Sequence, residues 1–224
     1  MFAQKQIIPN LYHLKFDSIS NLGKALIRPQ EFAESPLFQN KVFTTSELKR
    51  KYNSRNPYIS CLGVNIPGHY LTQFFDTFPS ITKAELEVFT SLKSAINDRT
   101  KKYYLIASYA PKNNKESLNA DFHEIAHGLY YINDEYKQQQ IKIVSETLSQ
   151  TNYNKIKSRL LAYNCYSQSV IEDEIHAYLA TDSISILKHR FNYKESKLPD
   201  DVLNCHLKLK ESLSQYVCNI PSIN

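Results

Sequence analysis

The fold of this chain is decided by residues 101–132, which read KKYYLIASYAPKNNKESLNADFHEIAHGLYYI. The first ten of these residues are rich in aromatic and aliphatic side chains and are closed by Pro111, which predicts a strand over 101–110. A polar loop follows, and the good helix formers after it predict a helix over 117–132. The sequence therefore predicts a strand that leads through a loop into a helix.

That helix contains the motif His-Glu-x-x-His at residues 123–127. Residues four apart project from one face of a helix, so the imidazoles of His123 and His127 can reach the same metal ion. Glu124 leans toward that side and can accept a proton from a water whose pKa zinc lowers to roughly 7. The motif predicts one Zn²⁺ ion held by both histidines, with Glu124 as the general base.

Catalytic zinc usually has three protein ligands and a water, so a third ligand is needed. The metzincin pattern H-E-x-x-H-x-x-G-x-x-H is absent, because Tyr130 and Asn133 stand at its last two positions. Two acids on later helices compete for the role, namely Glu146 and Glu174. The position of each acid on its helix separates them.

On its predicted helix, Glu146 falls nearly opposite the apolar residues Val144 and Leu148. Lys142, four residues earlier, is available as an exposed partner. This pattern indicates a solvated surface acid.

Glu174 lies within VIEDEIHAYLATD, residues 170–182. The buried arc of this helix is predicted to consist of Val170, Ile171, Ile175, Ala177 and Tyr178. Glu174 falls inside that arc, whereas Glu172, Asp173 and His176 fall toward the polar side. A carboxylate on an apolar face is costly unless it is paired or bound to metal, so Glu174 is the predicted third ligand and Glu146 is the alternative.

The pair of motifs His123-Glu124-x-x-His127 and Asp173-Glu174-x-x-Ala177 resembles the gluzincin clan of zinc metallopeptidases. The resemblance covers two short stretches and implies a zincin-like fold, with His123, His127 and Glu174 as ligands and Glu124 as base. It also implies a peptide or protein substrate. Thermolysin-like relatives place an acid four residues after the third ligand to orient a histidine. This chain has Tyr178 there, which puts that orienting contact in doubt.

Other groups are candidates for completing the site. Three tyrosines could stabilise an oxyanion, namely Tyr131, Tyr166 and Tyr178. His176 and His206 are interpreted as surface or hydrogen-bonded residues rather than proton donors. Asp121 is interpreted as a charge at the helix start rather than an acid that orients a histidine. The strand 103–110 is either an edge that pairs with an extended substrate or a central strand, and the sequence leaves both open.

The remaining patterns predict an α+β fold in which helices dominate and a small sheet packs against the metal-binding helix. Strands are predicted over 7–16 and 57–64, and helices over 45–53, 82–96, 134–149, 152–163, 168–181 and 199–217. We interpret 1–224 as one domain with its metal-site core at 101–182. Residues 1–60 form an N-terminal layer without a readable chemical role.

Composition narrows the function classes further. The net charge of +5 is scattered, and the densest basic run, Lys49-Arg50-Lys51, lies beside Glu47 and indicates a solvated face, so no nucleic-acid partner is expected. The four cysteines form no C-x-x-C pair, which favours free buried thiols in a reducing compartment. With no apolar N-terminal segment or membrane span, a soluble cytoplasmic protein is expected, with signal-independent export left open.

The leading hypothesis is therefore a zinc metallopeptidase. The alternative is a binding or scaffold protein that keeps a zincin-like fold and cleaves nothing, which a closed site with four protein ligands would favour. A third hypothesis, zinc-dependent hydrolysis of a non-peptide amide, shares every residue role. The oligomeric state cannot be inferred from these patterns.

Overall fold

The protein has an α+β fold in which helices dominate and a four-stranded mixed sheet forms the smaller part. We describe it from a computed structural model. The described residues are 2–53, 56–59, 63–96, 102–109, 115–163, 165–194 and 197–218, with the backbone alone for 115–120. The predicted fold class is confirmed at the level of α+β architecture.

The elements follow one another in a fixed order along the chain. The strands are β1 Phe2–Ile8, β2 Leu11–Phe16, β3 Gly63–Pro67 and β4 Tyr104–Tyr109. The helices are α1 Ile19–Glu34, α2 Thr45–Lys51, α3 Gly68–Thr77, α4 Lys83–Ala95, α5 Lys115–Ile132, α6 Asp134–Thr147, α7 Gln150–Ala162, α8 Ile171–Thr181, α9 Ile184–Arg190 and α10 Asp200–Val217. Short 3-10 turns occupy Pro57–Ile59 and Gln168–Val170.

The strand order in the sheet is β1-β2-β4-β3. β2 and β4 run parallel, with Leu11 opposite Tyr104, whereas β1 pairs with β2 and β3 pairs with β4 in antiparallel fashion. The strand predicted from residues 101–110 is therefore central, with both of its edges hydrogen-bonded. The edge next to it is β3, which among the described residues pairs on one side only.

Alternate side chains of the sheet point to two different cores, as strand geometry requires. One face, including Leu11 and Ile106, packs against α5 and the helices that follow it. The opposite face, including Leu14 and Leu105, packs against α1 and α4. The sheet is thus covered on both faces, and α5 lies directly over β2, β3 and β4.

α8 lies in the middle of the helical half. It packs against α5 on one side and against α6, α7 and α10 on others. Ile175 and Leu179 of α8 are buried in the same core as Ile125 of α5 and Leu209 of α10. This packing brings the second predicted motif next to the first.

Several elements differ from the sequence-based predictions. The predicted strand 7–16 is two strands joined at Asn10, whose φ of 67° lies in the left-handed region that asparagine tolerates. The predicted strand 57–64 was wrong in its first part, because Pro57–Ile59 is a 3-10 turn and β3 begins at Gly63. Helices α1, α3 and α9 were not predicted.

The capping boxes were predicted correctly. Thr44 and Glu47 exchange hydrogen bonds at the start of α2, and Thr82 and Glu85 do so at the start of α4. Three of the cysteines predicted to be free and buried are free, namely Cys165, Cys205 and Cys218, and Cys61 lies outside the described residues. Their predicted burial was wrong for Cys165 and Cys218, which are exposed, and is confirmed for Cys205. In the part of the chain that the structure describes, no helix combines the length and apolar character that a bilayer crossing requires.

Gly23 sets how closely α1 approaches the turn at 57–59. A Cβ at this position would lie 2.2 Å from the carbonyl oxygen of Tyr58. Because that oxygen belongs to the backbone, it cannot rotate away. We expect Gly23→Ala to lower the free energy of unfolding by about 1–3 kcal/mol in denaturant titrations, even though alanine favours helix by about 1 kcal/mol.

The control for this prediction is Lys24→Ala on the exposed side of α1, which should be close to neutral. A Gly23→Ala protein as stable as the original chain would contradict the close packing of α1 on this turn.

Candidate metal centre

The two histidines of the motif and one glutamate converge on a single point. The Nε2 atoms of His123 and His127 are 3.2 Å apart, because one turn of α5 separates the residues. Glu174 Oε1 lies 3.6 Å from His127 Nε2. One donor atom from each of the three residues lies within 4.8 Å of the others, and His127 and Glu174 are buried.

The structure separates the two competing acids clearly. Glu174 is 3% exposed and projects from α8 toward α5. The Glu146 side chain on α6 is 61% exposed and pairs with Lys142 at 3.9 Å. Glu174 is therefore placed beside the histidines, whereas Glu146 is a surface acid.

The contacts of His123 determine which ring nitrogen is protonated. Its Nδ1 lies 3.2 Å from the Thr181 hydroxyl. That hydroxyl donates its hydrogen to the carbonyl of Ala177 at 2.7 Å, so toward His123 it can only accept. Nδ1 of His123 therefore carries the proton, and Nε2 presents a lone pair to the centre.

His127 is oriented in a similar way by an acid. Its Nδ1 lies 3.0 Å from Asp173 Oδ2, within ion-pair distance. A carboxylate only accepts, so Nδ1 carries a proton and Nε2 is left to face His123 and Glu174. A carboxylate behind a metal-binding imidazole is the usual orienting arrangement. Burial alone would raise the pKa of Asp173, but the charge on His127 outweighs it and lowers that pKa to about 2.

Two facing Nε2 atoms and a carboxylate oxygen at these distances favour a positive charge among them, which either a proton on His127 or a metal ion can supply. Tetrahedral zinc with bonds of about 2.0–2.1 Å would separate its ligand atoms by roughly 3.3 Å. The measured separations are 3.2 and 3.6 Å. Glu174 Oε2 is also buried without a hydrogen-bond partner among the described residues. The donor set therefore fits a divalent metal ion.

The pKa shifts of the two histidines and Glu174 also indicate that the site favours a positive charge. Burial opposes a charge on His127, yet Asp173 and Glu174 raise its pKa well above the ordinary value. Burial and the neighbouring His127 lower the pKa of His123 well below the ordinary value. Burial raises the pKa of Glu174 to about 7. The pocket thus stabilises a cation at its centre but does not accept two protonated imidazoles.

Glu124 is held beside the centre by β3. Its Oε2 accepts a hydrogen bond of 2.9 Å from the Asn65 side chain, and the amide oxygen of Asn65 accepts one of 2.5 Å from the Tyr104 hydroxyl. Burial raises the pKa of Glu124 to about 7. Gly63 makes room for this carboxylate, because a Cβ there would lie 2.3 Å from Glu124 Oε1.

Two expectations for neighbouring residues were wrong. Asp121 does not mark the helix start, because α5 begins at Lys115; its carboxylate instead pairs with Lys15 at 2.9 Å. His176 is not on a polar face, because it is 1% exposed and hydrogen-bonds the Tyr136 hydroxyl at 2.8 Å. The wider buried arc of α8 reflects its packing against helices on several sides.

The remaining candidates occupy defined positions. The Tyr178 ring lies 4.6 Å from the His123 ring, and its hydroxyl is 2.6 Å from that of Tyr166. Tyr131 lies further out and bonds His69 at 2.7 Å. His206 is buried and contacts the carbonyl of Leu179, so it is a hydrogen-bonded core residue.

Sequence reasoning missed several residues that support the site. Asp173 was assigned to the polar side, although it belongs to the motif that identified Glu174. Asn65 could have been noticed as the one polar residue of the short strand GVNIP. Glu34, a buried acid at the end of α1, gave no signal because α1 itself was not predicted. Burial and the charge on Glu174 raise the pKa of Glu34 well above its ordinary value.

Comparisons of the chain with protein-family models, with curated proteins and with solved structures find no match. The gluzincin resemblance therefore stays a prediction that depends on the two short motifs and on the geometry of the site.

Zinc affinity should separate the two acids experimentally. We expect Glu174→Ala to weaken zinc binding by more than about 100-fold, since even an orienting residue such as Asp173 contributes about 10–100-fold. Competition with a chromophoric zinc chelator measures the affinity of each variant.

Glu146→Ala is the matched control, because it removes the same side chain from an exposed position. Unchanged affinity in Glu174→Ala together with a large loss in Glu146→Ala would reverse the ligand assignment.

Proposed function

We propose that the protein is a zinc-dependent metallopeptidase with a zincin-like core. The observation that carries the proposal is the convergence of His123, His127 and Glu174, with the buried Glu124 next to His123 in the chain. Two imidazoles and one carboxylate are the ligand set that catalytic zinc sites use, with one position left for solvent or substrate. This is the arrangement that a hydrolase needs.

A zinc ion bound by these residues would supply Lewis-acid chemistry and lower the pKa of a bound water to roughly 7. The nitrogen and oxygen donors and their tetrahedral spacing favour zinc over magnesium or calcium, which prefer oxygen donors alone.

Glu124 is the group that accepts a proton from the attacking water. A general base works best when its pKa lies near the operating pH, and burial raises the pKa of Glu124 to about 7. Asn65 and Tyr104 keep the carboxylate in one orientation through their hydrogen-bonded chain. The same carboxylate can then deliver the proton to the leaving amine.

Two further residues hold the ligands in place. Thr181 fixes the ring of His123, and Asp173 fixes the ring of His127. Tyr178, whose ring is tilted by 41° against that of His123, supplies a phenol to stabilise the oxyanion. The guanidinium of Arg190 lies 3.9 Å from the centre of the Tyr178 ring and keeps positive charge close to that phenol.

The edge strand β3 supports a peptide as the substrate. It carries Asn65 and Gly63 next to Glu124, and among the described residues its outer edge is not paired with another strand. An extended peptide can add to such an edge through backbone hydrogen bonds. We therefore assign the pairing with an extended substrate to β3 rather than to residues 103–110.

Two substitutions test the role of Glu124. We expect Glu124→Gln to keep zinc and to lower the turnover of a cleaved peptide by about 10²–10⁴-fold, because the proton acceptor is lost. Gly63→Ala should also lower turnover while zinc affinity is retained, because the new methyl group displaces the Glu124 carboxylate.

The peptide is first identified by digesting a broad peptide library with the zinc-loaded protein. The control is the double variant with both substitutions, which should be no slower than Glu124→Gln alone if both act on one group. Zinc bound with no cleavage in the library would reject the peptidase proposal, and additive losses would reject the link between Gly63 and Glu124.

A further inference from the structure

A cavity of about 260 Å³ opens beside the metal centre and reaches it through Glu174. Four acids line it, namely Glu34, Asp173, Glu174 and the exposed Asp134. Aromatic rings, among them Tyr70, Tyr104 and Tyr131, line its walls. The volume suits one amino-acid side chain or chain end rather than a drug-sized ligand, which needs roughly 300 Å³ or more.

Glu34 is the acid in this cavity that the metal site does not account for. It is 8% exposed, and the groups that act on it most strongly are other acids and His127 rather than a lysine or arginine. Its backbone carbonyl is fixed by the amide of Ser167 at 2.9 Å, so the side chain stays at the cavity wall. A buried carboxylate without a partner is unfavourable unless something binds it.

Glu31, one turn earlier on α1, is a buried acid whose negative charge has partners within the protein. Its carboxylate contacts the Lys51 ammonium and accepts a hydrogen bond of 2.7 Å from the Tyr52 hydroxyl. Glu34 is about as buried, but no lysine or arginine is among the groups that act on it most strongly. Among the described residues it therefore lacks the cationic side-chain partner that Glu31 has.

Lys102 and Lys137 also line the cavity, but their contacts are with other residues than Glu34. Lys102 pairs with the exposed Asp134 at 3.4 Å, and Lys137 lies 5.1 Å from the centre of the Tyr130 ring. Each of these lysines therefore has a contact other than Glu34.

Four acids act on one another around the centre, namely Glu34, Glu124, Asp173 and Glu174. Burial and the charge on Glu174 raise the pKa of Glu34 well above its ordinary value. A cation that enters the cavity would favour the ionised form of Glu34 and pair with it. The faces of the tyrosine rings add to this attraction, because aromatic faces bind ammonium and guanidinium groups.

We infer that this cavity binds a cationic group of the substrate, an ammonium or a guanidinium, through the carboxylate of Glu34. The inference rests on the proposed peptidase function, because the cation is taken to belong to a peptide substrate. Binding of the cation itself requires no cleavage. The cation has two possible sources in a peptide, a basic side chain or a free amino terminus.

Three small probes distinguish these sources. N-acetylarginine amide carries the side-chain cation alone, norleucine amide carries the α-ammonium alone, and N-acetylnorleucine amide carries neither. Isothermal titration calorimetry with the zinc-loaded protein measures each affinity. We expect one charged probe to bind about tenfold or more tightly than the uncharged probe, and Glu34→Gln to remove that preference.

The matched control is Glu172→Gln, which removes one negative charge from an exposed position of α8 and should leave the preference unchanged. Circular dichroism and zinc affinity of Glu34→Gln should equal those of the original chain. Equal binding of all three probes, or a preference that survives Glu34→Gln, would overturn the inference. A loss of zinc in Glu34→Gln would also overturn it, because Glu34 would then be a metal ligand.

These outcomes are separable from those of the proposed function. A protein that cleaves peptides but shows no preference among the probes is a peptidase without this cation site. A protein that binds a charged probe through Glu34 but cleaves no peptide keeps the cation site and loses the peptidase assignment.

Discussion

Two imidazole nitrogens and a carboxylate oxygen that lie 3.2 and 3.6 Å from one another, and so favour a positive charge among them, are the constraint on which the site depends. Thr181 and Asp173 create it, because Thr181 accepts from Nδ1 of His123, Asp173 lies within ion-pair distance of Nδ1 of His127, and the opposite nitrogens therefore face inward. Glu174 adds a negative charge at the same point. Such an arrangement is unfavourable without a cation, so these contacts explain together why the residues fit a metal ion and why it would bind in one position.

The fold supplies this geometry through two close packings. α8 lies against α5 and delivers Glu174 and Asp173 to the histidines from one side. β3 approaches α5 from the other side, where Gly63 and Asn65 place the carboxylate of Glu124. Glu174 is thus positioned by the contact between α5 and α8, whereas the Glu124 carboxylate is positioned by the contact between α5 and β3. The Glu124 carboxylate can therefore be displaced by a substitution in β3 without displacing the metal ligands.

The sequence was sufficient for the parts of the site that depend on local periodicity. His123 and His127 share a face because they are four apart on one helix, and Glu174 was selected because it interrupts an apolar arc. What the sequence could not show depends on contacts between distant segments. Asn65 reaches Glu124 across 59 positions, and Glu34 meets the site only because α1, which contains Pro29 and was not predicted, ends there. The order of the strands likewise follows from pairings that no local pattern reveals.

X-ray absorption at the zinc edge of the zinc-loaded protein tests the central claim most directly, because scattering from imidazole rings is distinct from that of carboxylate or water. Our account predicts one zinc per chain with four light ligands at about 2.0–2.1 Å, two of them imidazoles. Replacing either His123 or His127 by alanine should remove one imidazole contribution or the metal itself. A spectrum without imidazole scattering, or one that both substitutions leave unchanged, would show that these two side chains do not hold a metal ion.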